Sequence, residues 1–549
     1  MCNLTIRSGV FMLNKRELNT LEKDVNLRKV LITTSGIGSR LGDFTNHTNK
    51  SLVKVGDKLA LSRIIEIYPE QTTFVITLGH FGAHVKDFLE VAYPKRNFEY
   101  VEVSKYEGPG SSLGFSMLCA AQYLQEPFIF HASDTLLVDA DMMEIPIGNW
   151  VAGSKGISAS QYASLDVSSG IVMNFHDKGM MQYDFLHIGL VGIVDYLDFW
   201  ATLKEIYELD SKDASLNDLA VLIKMKSRGS QFKFVEAKNW IDMGNTESLL
   251  AARQQIGGRF EVLEKTDESI SFVDNSVIKF FSDENVAKNR VARAGLLGEL
   301  TPEITASQGN FYRYDFVDGV LASNRATPDR VKRLLDWAQD NLWDRREILS
   351  DVRFTEICND FYRTKTYKRI DKFLEKTKFD EANYQINGTQ IPSIFDLLKN
   401  IDFTWISAGI QSQIHGDFIL DNIIETKSGF KLIDWRQDFG GIIDAGDQYY
   451  DLAKLNHSLV VNHEIVNKNN YEVKIYENNV YCEIFRKHDL VESGKVLREF
   501  VEANNLDYKK VQVLTALIWL NMAPLHHHPF DLFLFNFGKL NLWRTLADE

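Results

Sequence analysis

One rhythm limits what this chain can fold into. Over residues 29 to about 144, short apolar runs alternate with helix-like stretches. "KVLITT", "TFVITL", "FEYVEV" and "PFIFHA" read as strands, and "AHVKDFLEVA" and "LGFSMLCAAQYL" as helices. This alternation predicts a three-layer α/β domain built on a mostly parallel sheet. Ligands of such sheets sit at the carboxyl ends of the strands. The loop "SGIGSR", residues 35–40, and Asp134 of "FIFHASD" both fall at such ends.

At 549 residues the chain is too long for one core, so two or three domains are expected. A net charge of −14 argues against a nucleic-acid partner, which would want a basic face. Cys2, Cys119, Cys358 and Cys482 lie far apart, without the spacing of a zinc site or a disulfide framework, and fit a reducing cytoplasm. Residues 1–27 read as a polar leader with no secretory h-region, and Met12 is an alternative start. No run approaches the ~18 apolar residues of a membrane span, and "VLTALIWL" reads as a buried helix. A cytoplasmic protein without membrane insertion is expected, and a homo-oligomer is compatible with the sequence.

Gly257 and Gly258 mark a boundary between a first domain, 28–256, and a second, 257–549. Past it come three β-like runs, "RFEVLEK", "SISFV" and "SVIKFF", and then a largely helical region. "NIIETKSGFKLIDW" interrupts that region as a hairpin around "TKSG".

The glycine loop is neither a dinucleotide loop, because Leu41 stands where a third glycine is needed, nor a Walker A loop, because no Gly-Lys-Ser/Thr closes it. It suits a triphosphate in another way. Gly36 and Gly38 let backbone N–H groups come close to phosphates, with Ser39 beside them. Arg40 and Lys50 can neutralise a leaving pyrophosphate. Asp134 and Asp242, at separate strand ends, can hold Mg²⁺ between the α-phosphate and an acceptor. His131 and His187 read as structural.

"SGIGSRLGDFTNHTNKSLVKVGDKLAL" resembles the opening of the nucleotidylyltransferases that make nucleotide-activated sugars and CDP-alcohols. In that resemblance "VITLGH" matches the family's Gly-Tyr strand end with His80 in place of Tyr. "GPGSSLGFSM", carrying Gly108, Gly110 and Ser111, matches the base-and-ribose segment. "HASDTLL" and "WIDMGNTESL" supply the two metal aspartates. The resemblance covers roughly residues 28–255 and implies a Rossmann-like nucleotidylyltransferase domain.

A second constellation lies in "QIHGDFILDNII" and "FKLIDWRQDFG". Asp417 and Asn422 are five apart, and Asp434 follows the hairpin. Phosphoryl transfer to an alcohol needs a carboxylate at the hydroxyl and oxygen ligands for Mg²⁺. "HGDxxxxN…IDW" resembles the aminoglycoside phosphotransferase and choline kinase family. The resemblance implies a bilobal α+β protein-kinase-like domain, with its N-lobe at about 259–325 and its C-lobe at about 326–549. It makes Asp417 the base, Asn422 and Asp434 metal ligands, and His415 a residue that fixes the loop. Lys279 of "SVIKFF" then becomes the ATP lysine, and Tyr314 of "FYRYDFVDG" part of the adenine hinge. Glu284 and Glu299 both qualify as the lysine's carboxylate partner. The run His526, His527 and His528 reads as a loop near substrate, since adjacent side chains point apart.

Together the two resemblances imply a bifunctional enzyme with Mg²⁺ at both sites. ATP would phosphorylate a small alcohol, and CTP or another nucleoside triphosphate would then give a nucleotidyl group to the alcohol's phosphate, releasing pyrophosphate. The product would be an activated precursor for surface glycan or lipid decoration. A choline-like acceptor is favoured by similar fusions, although Arg436 replaces an acidic residue common in choline kinase-like relatives. One alternative is a sugar or polyol kinase fused to a sugar-1-phosphate nucleotidylyltransferase. Another is a nucleotide-sensing regulator with one inactive domain.

Overall fold

The computed structural model describes residues 28–138, 145–156, 160–258 and 267–547. The leader expected over residues 1–27 and the run "RFEVLEK" lie outside them. The chain divides into two compact units. One takes the described residues up to Glu284 with Ala306–Arg313, and the other Asn285–Thr305 with Tyr314–Glu549.

In the first unit, strands β1 (Lys29–Thr33), β2 (Thr73–Leu78), β3 (Asn97–Glu102) and β4 (Phe128–Ala132) run parallel in the order β3-β2-β1-β4. Helices α1 (Gly82–Ala92) and α2 (Leu113–Ala120) make the crossovers. Along β1 the side chains alternate between two cores. Val30 and Ile32 pack with Val85, Phe88 and Leu89 of α1, while Leu31 packs with Met117 and Ala120 of α2. The two-residue period of a strand thus sets one helical layer on each face.

The next elements are β5 (Thr135–Leu137), β6 (Trp150–Ser154), β7 (Ser164–Ser168), β8 (Ile171–His176), β9 (Phe185–Ile193), β10 (Lys233–Glu236) and β11 (Trp240–Asp242). Five of them extend the sheet to nine strands, β3-β2-β1-β4-β9-β6-β10-β8-β7. Here the expectation of a mostly parallel sheet needs correction. β9 is antiparallel to both β4 and β6, and β8 to both β7 and β10. The reason is connection length. β7 and β8 are joined by Ser169 and Gly170 alone, at φ 50° and 75°. Two positive-φ residues make a tight hairpin, and a hairpin forces antiparallel neighbours.

Gly257 caps the helix Thr246–Ile256, and the first unit continues past it. Strands β12 (Glu268–Val273) and β13 (Ser276–Phe281) form an antiparallel pair. Their Val273, Ile278 and Phe280, with Phe311, join the same apolar cluster as Val85 and Phe88. The Phe280 and Phe311 rings lie 5.0 Å apart, and those of Phe88 and Phe311 5.7 Å apart. Shared apolar burial therefore carries this unit beyond the glycine pair.

The second unit is largely helical. Its helices include α3 (Lys365–Thr377) and α4 (Gln448–Val460), and the expected hairpin is β14 (Ile423–Thr426) with β15 (Gly429–Leu432). "VLTALIWL" lies in the helix Tyr508–Met522, where Val513 through Leu520 are buried. Among the described residues no helix is long and apolar enough to cross a membrane.

Candidate active sites

In the first unit β1 delivers the glycine loop to the carboxyl edge of the sheet, and a buried amide fixes it there. Asn49 is 0% exposed. Its Nδ2 donates to the Thr34 and His80 carbonyls at 2.8 and 2.6 Å, and its Oδ1 accepts from Ser51 N–H and Oγ–H at 2.9 and 2.8 Å. Two donors and two acceptances exhaust the amide's capacity, so the loop, the end of β2 and the Lys50–Leu52 turn are tied at one point. Gly38 sits at φ 74°, and a Cβ there would lie 2.8 Å from Lys50 Cβ. Glycine therefore lets Lys50 cross the loop. The lysine amine comes 4.0 Å from the Cβ position of Gly36.

The loop carrying Gly108, Gly110 and Ser111 closes on itself through Ser111 Oγ, which donates to the Gly108 carbonyl at 2.7 Å. Ser112 then caps α2 by accepting from Phe115 N–H. Ser35 Oγ and Ser116 Oγ share a hydrogen bond at 2.8 Å, which ties the start of α2 to the glycine loop. The segment 108–116 is therefore anchored beside that loop.

The two aspartates meet through a short antiparallel ladder. β11 pairs with β5 so that Asp242 faces Thr135, and Met243 N–H donates to the Asp134 carbonyl at 3.1 Å. Gly244 is where they converge. A Cβ at that residue would lie 3.2 Å from Asp242 Oδ1, 3.4 Å from Asp134 Oδ2 and 3.5 Å from Arg40 Nη2. Arg40 Nη2 stands 4.0 Å from Asp134 Oδ2. Tyr162 Oη donates to Asp242 Oδ2 at 3.0 Å. Burial, and then the Asp134 charge, push the Asp242 carboxyl above its ordinary range, against hydrogen bonds that hold it down. Two repelling carboxylates around a gap that a side chain would fill suit a hard divalent cation with oxygen ligands. Asp134 and Asp242 would hold Mg²⁺, with phosphate oxygens completing the shell. Among the described residues no group of three His, Cys, Asp or Glu side chains gathers to hold a metal.

His131 and His187 are both buried. His131 Nε2 lies 2.9 Å from the Thr135 carbonyl and Nδ1 lies 2.8 Å from Tyr68 Oη. A carbonyl only accepts, so Nε2 carries the proton and Nδ1 accepts. Burial pushes this imidazole down to about 4. His187 Nε2 meets Asp218 Oδ2 at 2.8 Å.

In the second unit the loop "IHGDFILDN" is held by a buried carboxylate that lies elsewhere in sequence. Asp451, on α4 and 0% exposed, accepts from His415 N–H and Gly416 N–H at 2.7 Å each, and from Trp343 Nε1–H at 3.2 Å. His415 Nε2–H donates to the Ile433 carbonyl at 3.0 Å, and its Nδ1 accepts from Asp417 N–H at 3.2 Å. This neutral ring therefore links the Asp417 loop to the segment that carries Asp434. Burial pushes it down to about 4.

Asn422 Nδ2 donates to the Asp417 carbonyl at 3.0 Å and to its Oδ2 at 3.1 Å. Lys454 Nζ sits 2.7 Å from Asp417 Oδ1. Burial opposes the lysine's charge, but the Asp417 charge and hydrogen bond together with Tyr450 outweigh it and the ammonium's pKa is raised. Asp434 adopts φ 58°, rare for a residue with a side chain and a conformation that clusters at functional sites. Its Oδ1 lies 3.5 Å from Arg290 Nη1. Asn422 and Asp417 are thus joined directly, His415 links their loop to Ile433 beside Asp434, and the side-chain oxygens of Asn422 and Asp434 fit the oxygen ligation that Mg²⁺ prefers.

Lys279 is buried on β13 opposite Ile270, within the first unit, and Tyr314 is buried on the strand Phe311–Asp315. The histidine run ends at a cis His528–Pro529 bond, with His528 Nδ1 3.7 Å from Asp531 Oδ1.

Sequence reasoning missed Asn49, Tyr162, Asp451 and Lys454 as members of these sites. Asp451 left a signal, a carboxylate inside the apolar face of "YYDLAKL". A buried acid in such a run needs donors. The others reach these sites through contacts that no local pattern shows.

No family model matches this chain, and no curated protein matches it. Solved structures are similar over part of it. UDP-glucose pyrophosphorylase complexed with UDP-glucose is 18% identical over 42% of this chain and 98% of that one, with a TM-score of 0.36. The inositol-1-phosphate CTP transferase from T. maritima is 17% identical over 42% and 99%, with a TM-score of 0.34. CTP:phosphocholine cytidylyltransferase from Streptococcus pneumoniae is 14% identical over 42% and 98%, with a TM-score of 0.36.

Proposed function

We propose that the chain is a bifunctional transferase. Its N-terminal part, residues 28–256, joins a nucleotidyl group to a phosphorylated alcohol. Its C-terminal part, residues 257–549, makes that phosphate from the free alcohol and ATP. The observation that carries the first half is the convergence of Asp134, Asp242 and Arg40 on Gly244, beside the loop that Lys50 crosses. A triphosphate laid on that loop would meet Lys50 and Arg40 with its β- and γ-phosphates and the two aspartates with its α-phosphate. An oxygen of the acceptor phosphate would then bond the α-phosphorus as pyrophosphate departs. Bound Mg²⁺ would supply charge neutralisation at the reacting phosphates. Arg40 and Lys50 hold the charge that develops on the leaving group.

In the second half the Asp417 network supports phosphoryl transfer to a hydroxyl. Asn422 fixes the Asp417 carboxylate, and His415 ties it to the segment of Asp434. Asp417 would accept the hydroxyl proton while Asn422 and Asp434 bind metal. CTP is the favoured nucleotide. Dependence on ATP and CTP makes the cytoplasm the proposed location.

The test is product analysis on the full chain with Mg²⁺, ATP, and CTP or UTP, offering alcohols or their phosphates. ADP from the alcohol and pyrophosphate from its phosphate are expected. Failure of Asp134→Asn and Asp242→Asn to reduce pyrophosphate release overturns the first assignment. Phosphorylation of the alcohol by Asp417→Ala overturns the second.

A further inference from the structure

We propose that the alcohol phosphorylated at the second site carries a negatively charged group of its own, received by Lys365, Arg369 and Arg436 beside Asp417. The inference rests on the kinase reading of the Asp417 loop and narrows its acceptor class.

Lys365 and Arg436 meet over one ring, and the charges of Arg369 and Lys454 also bear on Lys365. Asp417, which pairs with Lys454, and Asp438 are the carboxylates set against them. Lys365 and Arg369 sit four apart on α3 and so share one helix face. Arg436 enters from the catalytic loop side. Its N–H donates to the His415 carbonyl at 3.1 Å, and its Cβ lies 2.7 Å from the Cβ position of Gly416. One ring organises the cluster. Lys365 Nζ lies 4.1 Å and Arg436 Cζ 5.1 Å from the centroid of Phe361. Phe361 belongs to a π-helical turn, Asp360–Thr364, that leads directly into α3, a local distortion frequent at functional sites. The ring is itself fixed against Phe439 and Tyr450, at 4.4 and 5.0 Å between centroids.

Such crowding is costly without an anion. Burial first, and then the charges of Arg436, Arg369 and Lys454, push the Lys365 ammonium down to about 7. Burial and then Arg436 likewise lower Arg369. A phosphate or carboxylate among them would relieve the repulsion and gain charge-assisted hydrogen bonds, bidentate ones from the arginines. A quaternary ammonium would meet the same field with the wrong sign.

The aromatic residues that could cage such an ammonium are otherwise engaged. Trp435 is 0% exposed, with its Nε1–H on the Arg290 carbonyl. Trp519 Nε1–H donates to His457 Nδ1, and Trp405 Nε1–H to Asp507 Oδ2. The Tyr449 face holds Lys510 Nζ at 4.5 Å, and Tyr450 packs on Phe361.

In the transfer, the acceptor hydroxyl oxygen bonds the γ-phosphorus of ATP as the bond to the β–γ bridging oxygen breaks. The hydroxyl proton passes to Asp417, and ADP leaves with the bridging oxygen.

The experiment uses the full chain and reads acylation of Lys365 by peptide mass spectrometry near neutral pH, where this amine is partly uncharged. Inorganic phosphate, glycerol 3-phosphate, glycerate, choline and Mg–ATP are the probes. At least one of the first three should slow labelling on the order of tenfold, and choline should not. Glycerol 3-phosphate against glycerate separates phosphate from carboxylate recognition. Equal protection by choline, or protection by Mg–ATP alone, overturns the proposal.

The kinetic arm compares glycerol and choline with the anionic alcohols. Lys365→Met and Arg369→Gln should raise the acceptor KM on the order of tenfold with kcat and the ATP KM little changed, and Lys365→Arg should restore it. ADP release with choline or glycerol as fast as with the anionic alcohols sinks this inference alone. No alcohol-dependent ADP release, with pyrophosphate release intact, sinks the kinase reading beneath it.

Discussion

The two candidate sites solve one problem, holding acidic side chains in place, with different supports. His131 and His415 show the contrast. Both rings are fully buried, both donate Nε2–H to a carbonyl, and burial pushes both down to about 4. His131 belongs to strand β4, an interior strand of the sheet that is paired on both sides. The sheet positions Asp134, and the short ladder of β5 and β11 brings Asp242 to it. Those two carboxylates can then face each other across Gly244. His415 lies on a loop, where no ladder does the positioning. Asp451, His415 and Asn422 replace it with hydrogen bonds to backbone N–H groups, a carbonyl and the Asp417 carboxylate. The first site should therefore fail by losing chemistry. The second should fail by losing either chemistry or its loop.

The largest effect would come from separating the two. Asp417→Ala should lower ADP formation from the alcohol by ~10³-fold or more and leave pyrophosphate release from the supplied phosphate unchanged. Asp134→Asn and Asp242→Asn should do the reverse to a similar degree, since in the proposed mechanism each would remove a metal ligand at the reacting phosphates. Assays of both products with each variant check this. Loss of both activities in Asp417→Ala would mean the units do not act separately.

How much of this was legible in the sequence follows the range of the interactions. The strands "KVLIT" and "TFVITL", the helix over residues 82–92 and the hairpin around "TKSG" are local patterns, and the structure has them within a residue or two. The glycine loop and Asp134 could be set at strand ends for the same reason. The insertion of β9 between β4 and β6 was not legible, because those pairings lie far apart in sequence. Tyr162 reaches Asp242 across 80 residues and Asp451 reaches Gly416 across 35. No periodicity encodes such contacts. The continuation of the first unit past Gly257 was hidden similarly, since it depends on Phe280 and Phe311 sharing the core of Phe88.

Asp451→Ala would sharpen the contrast at the next level down. It would leave two backbone N–H groups and the Trp343 indole without their acceptor in a buried place. At ~1–3 kcal/mol for each unsatisfied donor, the second unit should lose about 4 kcal/mol of stability. Denaturant unfolding read with ADP and pyrophosphate assays checks it. Pyrophosphate release should persist at denaturant concentrations that abolish ADP release. An unchanged midpoint would show that the loop does not depend on this carboxylate.

Lys50→Ala is expected to be milder for the fold and specific for the first site. Removing a cation from the leaving pyrophosphate should cost about 3 kcal/mol in kcat, with stability little affected because the amine lies over a glycine loop and not in a core. Arg40→Ala should follow in the same direction. Steady-state kinetics with the phosphorylated acceptor decide it. A change in acceptor KM alone would reassign these residues to acceptor binding.

The smallest effect is on pH dependence, and it tests whether the two histidines are alike despite their different supports. A neutral buried imidazole at about 4 binds fewer protons in the folded state than the same ring unfolded, with an ordinary value near 6.5. Where the unfolded state binds more protons, stability rises with pH. Each histidine's contribution is therefore complete above about pH 6.5 and is lost progressively as pH falls toward 4. At pH 5.5 the loss should be about 1.4 kcal/mol for each ring, the free energy of a tenfold protonation of the unfolded side chain. In the second unit Asp451 acts in the opposite sense. Burial pushes it up to about 6, so the folded state takes a proton there before the unfolded state does, and stability falls as pH rises through that window. The raw slope of the second unit mixes the two, so the variant must be compared with the parent. Unfolding free energies at pH 7 and 5.5 for the parent, His131→Gln and His415→Gln provide the subtraction. His131→Gln should remove about 1.4 kcal/mol of acid loss from the first unit and none from the second, and His415→Gln the converse. Equal acid losses in the parent and His415→Gln would mean that the loop opens enough to let that ring take a proton while folded. The sheet-supported histidine and the loop-supported one would then differ in dynamics as well as in construction.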